Sequence, residues 1–246
     1  MMTLIIPDVH LRYEHVDKIL KHEAPDRAIF LGDHFDQFDD DEQQNKKAAQ
    51  WIKDRQNTHP EDEWLWGNHD TSYAFSNRYT KCSGYDFHKD AAINSVLSRK
   101  EWDRFKFYTW LDDKTLLSHA GLHPYYLTRK DPKDSIKDWL AQEAKTAYMT
   151  MCNNGGHWMY GAGYARGGSQ PKGGVNWLDW NQEFTPIKGL NQVVGHTVVR
   201  APGYKEAEDS WNYNLDTCNS HYGVWNGKQL KVNYAPDEIR EWRVKP

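Results

Sequence analysis

Short apolar runs alternate with amphipathic segments over the first third of the chain. Residues 3–6 (TLII), 28–31 (AIFL) and 63–66 (EWLW) each predict a strand. Between the first two, residues 15–24 place Val16, Ile19 and Leu20 at helical spacing, and Pro25 closes that helix. Residues 39–56 begin with acids and turn basic later, the order a helix dipole favours. The acidic run Asp39–Glu42 therefore reads as a solvated helix start rather than a metal site. This β-α-β-α-β order predicts a largely parallel sheet with right-handed crossovers.

The middle is less regular. Residues 90–111 predict a helix broken near Lys106, residues 115–117 a strand, and residues 135–151 a helix. Residues 153–174 hold eight glycines in 22 positions. Such a segment is either a mobile surface loop or an ordered loop beside an active site, where glycine lets backbone approach a ligand; the two readings are compatible. The last third predicts β-structure: a strand, a turn and a second strand over 191–199, then strands at 211–217 and 222–234. Asn226-Gly227, between alternating runs, predicts a type I′ hairpin. There is no internal repeat, and the chain reads as one domain over 1–246 with the 153–174 loop near its site.

Composition narrows the class. The mean hydropathy is −0.93, yet aromatic residues make up 14% of 246 residues, with twelve tryptophans, which argues against disorder. The formal charge of −4 provides no basic field for nucleic acid or an anionic membrane. Without a basic stripe, the tryptophans and tyrosines serve packing, with Trp158, Tyr160 or Tyr164 available to wall a cleft. Three cysteines without CxxC spacing form neither a disulfide framework nor a thiolate zinc site. The N-terminus does not read as a signal peptide, and no segment approaches 18 apolar residues. These features predict a cytoplasmic protein.

The chemistry gathers where apolar runs end. The runs lead into Asp8-Val9-His10, Gly32-Asp33-His34-Phe35-Asp36, Gly67-Asn68-His69-Asp70, Ser118-His119-Ala120-Gly121 and Gly195-His196-Thr197. Asp8 and His10, at i and i+2 of an extended chain, point the same way. Open α/β sheets collect ligands at the carboxyl ends of their strands, so all five termini can meet in one crevice. Carboxylate, imidazole and amide oxygen suit Mn, Fe or Zn without any thiolate.

Together these five motifs resemble the calcineurin-like metallophosphoesterases, and within them the phosphoprotein-phosphatase branch, especially its compact bacterial and bacteriophage members. Residues 214–232 (NLDTCNSHYGVWNGKQLKV) resemble that branch's late Ile-Asp-Thr-Gly strand and hairpin. The resemblance implies two mixed β-sheets packed as a sandwich flanked by helices. It also implies two divalent ions, with manganese expected and iron or zinc as alternatives. Asp8, His10 and Asp33 hold the first; Asp33 bridges to the second; Asn68, His119 and His196 complete that site. A hydroxide between the ions attacks phosphorus. His69 protonates the leaving oxygen as general acid, oriented by Asp36. Asp70 supports the loop.

The pattern departs from the family at named places. Pro7 and Leu11 stand where the first motif has glycines, which predicts an altered local backbone, and Gln37 stands where the branch has a phosphate-gripping arginine. The resemblance implies a phosphate-binding arginine in the glycine-rich segment, so Arg166 is the expected substitute contact, and Arg12 is a weaker candidate. His34 lines the pocket without binding metal. The expected substrate is a phosphorylated small molecule, nucleotide or phosphoprotein, attacked as a monoester. The alternatives are hydrolysis of a dinucleoside polyphosphate or phosphodiester on the same core, and a catalytically silent metal-binding scaffold.

Overall fold

The computed structural model describes residues 1–37 and 39–236; residue 38 and residues 237–246, which the one-domain expectation includes, lie outside the described residues. The opening alternation is as the pattern predicts. Strands β1 (Thr3–Ile6), β2 (Arg27–Phe30) and β3 (Glu63–Leu65) pair in parallel. Helix α1 (Tyr13–Glu23) stops at Ala24, whose φ of 46° lies in the left-handed region just before Pro25. Helix α2 (Glu42–Thr58) starts later than residue 39, because Asp41 caps it. The Asp41 carboxylate accepts the Gln44 N–H at 2.8 Å, and the Gln44 side chain accepts the Asp41 N–H at 2.9 Å.

Residues 90–111 do not form one helix. They are divided among α4 (Phe87–Asn94), α5 (Arg99–Trp102), β4 (Phe105–Lys106) and β5 (Tyr108–Trp110), while α3 (Asn68–Ala74) follows the third motif. Ser98 and Glu101 form a capping box that starts a new helix, and Phe105 packs on Trp66 with ring centroids 4.8 Å apart once β4 pairs with β3. Tertiary pairing of an aromatic edge overrides helical spacing here.

The first sheet has the order β11-β10-β1-β2-β3-β4 and the second β5-β6-β7-β9-β8, with β6 (Thr115–Ser118), β7 (Asn191–Val194), β8 (Gly203–Ala207), β9 (Ser210–Asn214), β10 (His221–Trp225) and β11 (Leu230–Tyr234). Residues 197–199 form no strand, and β8 takes the edge instead; its sequence GYKEA lacks the apolar alternation that marks a strand. The β10–β11 turn has positive φ at Gly227 (93°) but not at Asn226. Glycine therefore stands at the first central position, as type II′ demands, and not at the second as in type I′. Helices α6 (Pro124–Leu127) and α7 (Ile136–Cys152) complete the set.

Strand β1 is buried along its whole length, and β2 and β3 past their first residue, which is why these strands read as apolar runs. Leu4, Ile6, Phe30, Trp64 and Trp66 face the helical side. Ile5, Ile29, Leu31 and Leu65 face the second sheet and meet Leu117, Val193 and Leu215. Trp64 is fully buried and stacks on Phe30 at 4.4 Å. Trp64→Ala is expected to destabilise the chain by about 3–5 kcal/mol, read as a lower urea midpoint with little change in slope.

Candidate metal centre

Strands β1, β2 and β3 run parallel, as do β6 and β7 in the second sheet, and their carboxyl ends deliver the five motifs to one crevice. The chain turns sharply there. His10, Asp33, Asp36 and His196 have φ of 42°, 47°, 62° and 69°, in the left-handed region that side chains seldom adopt. Backbone strain of this kind collects where side chains must be aimed. Leu11, next in the chain after His10, has φ 63°, in the same left-handed region.

Two donor groups lie within 4.8 Å: Asp8, His10 and Asp33 form one, Asp33, His119 and His196 the other. Asp33 belongs to both. His10 Nδ1 lies 2.7 Å from the Asp36 carbonyl and 3.0 Å from the Phe35 carbonyl, which can only accept, so Nε2 keeps its lone pair toward Asp8 and Asp33. His119 Nδ1 likewise faces the Leu31 carbonyl at 2.9 Å. Its Nε2 meets Asp33 Oδ2 and Asn68 Oδ1 at 3.2 Å and His196 Nδ1 at 3.1 Å. Acceptor atoms thus converge on one point, and His196 Nε2 is buried without a partner among the described residues.

The electrostatics agree with a cation slot. Burial pulls the His119 pKa down, but Asp33 and Asp8 outweigh it and hold it at about 9. Burial, with Asp216 and Asp33 nearby, pushes the Asp8 carboxyl well above its usual range. Burial and neighbouring His119 and Arg166 press His196 well below its ordinary value. The donor set therefore fits divalent metal.

Beside this cluster His69 Nδ1 meets Asp36 Oδ2 at 2.7 Å, and its backbone N–H donates to Asp33 Oδ1 at 2.9 Å. Asp36 Oδ1 also accepts from the Tyr73 hydroxyl at 2.6 Å and from Lys89 Nζ at 3.2 Å. Burial opposes a proton on His69, yet Asp33 and the bond to Asp36 hold its pKa well above the ordinary value.

A family model described as calcineurin-like phosphoesterase matches residues 1–200. The chain belongs to that family. Its members are metal-dependent phosphoester hydrolases, and so is this chain. The fold is shared with a cold-active protein-tyrosine phosphatase of a psychrophile, Shewanella sp., at 12% identity and a TM-score of 0.62, covering 96% of this chain and 80% of that one. It is shared with a serine/threonine phosphatase from Saccharomyces cerevisiae at 12% identity and 0.53, covering 96% and 82%. A candidate diadenosine tetraphosphatase aligns at 14% identity and 0.51, covering 96% and 94%. No curated protein matches the chain in a sequence comparison.

Within this phosphoesterase, Arg166 lies on the turn Tyr164–Arg166 of the glycine-rich segment. Its Nε pairs with Asp179 and its Nη2 donates to Thr197 Oγ1, both at 2.8 Å. Gln37 lines a separate hollow of about 300 Å³ with Arg12, Gln44 and Lys47. The glycine-rich segment is tied to Glu183, itself buried, which accepts N–H bonds from Gly173 at 2.9 Å and from Ala165 and Asp179 at 3.4 Å.

Trp158 and Tyr160 do not wall the cleft. They are buried in the helical-side core, where Trp158 stacks on Tyr126 at 4.2 Å and Trp139 at 5.5 Å. Trp177 holds the place edge-on to His196 at 5.7 Å. His34 is buried and does not line the crevice. It faces Asp70 at 3.1 Å among Phe30, Trp64 and Phe105, while Asp70 Oδ2 accepts the Gly67 N–H at 2.8 Å. Asp70 thereby supports the loop. Sequence reasoning missed Tyr73 and Lys89, which carry no motif; the only signal, Tyr73 within a helix next to the third motif, is ordinary.

Glycine is required at two motif positions by close approach. A Cβ at Gly67 would overlap Asp33 Oδ1, and one at Gly195 would overlap Asp8 Oδ1. Gly67→Ala is expected to lower Mn(II) content after dialysis at least tenfold while far-UV circular dichroism stays unchanged. Full metal content in that variant would contradict the packing of Asp33 against residue 67.

Proposed function

We propose that the chain hydrolyses phosphomonoesters with two divalent ions. Asp8, His10 and Asp33 would hold one, and Asp33, Asn68, His119 and His196 the other. The observation that carries this is Asp33, shared by two donor groups within 4.8 Å, beside a paired His69 and Asp36. Divalent ions there supply Lewis-acid activation of water and neutralise charge on the phosphoryl oxygens.

The chain's own residues do the rest. His69, with its Nδ1 tied to Asp36, presents Nε2 and gives its proton to the leaving oxygen. Asp36 fixes the tautomer, and Tyr73 and Lys89 hold Asp36 still. Arg166 is locked on two nitrogens by Asp179 and Thr197, and its Nη1 makes no hydrogen bond among the described residues. That nitrogen is aimed by the other two and can take a phosphoryl oxygen of a monoester dianion. A silent scaffold has no use for an oriented acid, so the His69–Asp36 pair argues against that reading.

Manganese-loaded protein is expected to turn over p-nitrophenyl phosphate in preference to bis(p-nitrophenyl) phosphate and diadenosine tetraphosphate. The reverse preference would replace the monoester reading with the diester or polyphosphate one. His69→Asn should keep its metal content and lose about 10²–10⁴-fold in kcat, most with poor leaving groups; an unchanged rate removes the acid from His69. Arg166→Lys should raise KM about tenfold with kcat less affected, since a charge-assisted bond contributes roughly 1.5–3 kcal/mol.

A further inference from the structure

After β9 the chain crosses to the first motif through Leu215–Asn219 and binds to it. Asn219 Nδ2 donates to the Val9 carbonyl at 3.4 Å, the His15 ring nitrogen Nε2 lies 3.0 Å from the Asn219 carbonyl, and Arg12 hydrogen-bonds Cys218. Cys218 and Asn219 hold φ of 55° and 61°, so the segment is bent to a shape its side chains do not favour. Asp216 sits in this bend at 2% exposure. Its backbone is tied on both sides: its N–H donates to Asn214 Oδ1 at 3.0 Å, and its carbonyl accepts from Val199 N–H at 2.9 Å. Its Oδ1 accepts the Cys218 N–H at 3.2 Å. Its Oδ2 is buried and has no hydrogen-bond partner among the described residues.

An unpartnered buried carboxylate oxygen is costly unless a cation or a donor completes it. The groups that act on Asp216 electrostatically are His10, His119 and Asp33, and Asp216 acts in turn on Asp8. Asp8, Asp33 and Asp216 are all at most 2% exposed. Three carboxylates thus crowd one side of the crevice. No oxygen of Asp216 joins the Asp8–His10–Asp33 donors that lie within 4.8 Å of one another. Asp216 lies on the segment that hydrogen-bonds the carbonyl of Val9, the residue next to Asp8 in the chain.

We infer that Asp216 is an outer carboxylate of the first metal site, accepting a hydrogen bond from water in the ion's hydration shell. This rests on the two-ion reading. Added negative charge and a retained water favour a hard, well-hydrated cation, Mn(II) or Mg(II), over Zn(II). Asp216 is a positioning residue and touches neither substrate nor the reacting atoms.

The test is Mn(II) titration of the metal-free chain by calorimetry and by the electron paramagnetic resonance of free Mn(II), with Zn(II) competition. Asp216→Asn keeps the shape and the bond from Cys218 N–H and removes the charge. It is expected to bind one of two Mn(II) ions about tenfold more weakly, to shift the Mn(II):Zn(II) preference toward Zn(II), and to melt at a higher temperature than wild type when metal-free. Asp216→Glu, which restores the charge, should recover part of the preference and guards against a folding defect in the first variant. Two-ion binding by wild type with unaltered affinity and preference in Asp216→Asn overturns this inference alone. Failure of wild type to take up two Mn(II) ions overturns the two-ion reading and the inference with it.

Discussion

The Asp33 carboxylate is almost completely buried, and the structure around it is arranged to make that tolerable. An isolated buried charge costs several kcal/mol or more. Here the His69 N–H donates to one oxygen, and His119 and His10 face the other at 3.2 and 3.8 Å. Burial raises the Asp33 pKa, but these imidazoles, His119 foremost, bring it well below the usual range. Space for the carboxylate exists because residue 67 has no Cβ. The left-handed backbone at Asp33 itself follows from turning that side chain off the end of β2 and back into the crevice.

The same charge divides two neighbouring histidines. His119 and His196 approach to 3.1 Å, so both cannot be protonated. His119 lies against Asp33 and Asp8 and is held at about 9. His196 feels burial, His119 and Arg166, and stays well below its ordinary value. A site with this polarity selects positive charge at its centre and leaves a neutral imidazole as a lone-pair donor at its rim. In the proposed two-ion site, metal binding would be coupled to proton release from His119.

The second sheet contributes more than His119 and His196. Its connection from α7 to β7 is rich in glycine, yet buried Glu183 gathers its N–H groups and Asp179 with Thr197 fixes Arg166 at its edge. In the proposed reading, that rigidity would aim the remaining Nη1 at a phosphoryl oxygen. The local flexibility of glycine is spent on allowing backbone segments to approach closely, and carboxylates supply the order.

The period of the apolar positions determined the first sheet, since a strand buried on both faces reads as a continuous apolar run whatever surrounds it. The five strand-end motifs pointed to the family, and the folded chain brings Asp8, His10, Asp33, His119 and His196 together where those strands end. The division of residues 90–111 was not legible: Trp102 and Phe105, three apart, satisfy a helix pattern, and only the packing of Phe105 on Trp64 and Trp66 decides. Nor could the sequence show that Trp158 and Tyr160 belong to the core while Trp177 meets His196, or that His34 is tied to Asp70. Lys89 lies 53 residues from the Asp36 it touches, and Asn219 lies 210 residues from Val9. Such pairings are set by how the layers pack, which tertiary structure alone decides.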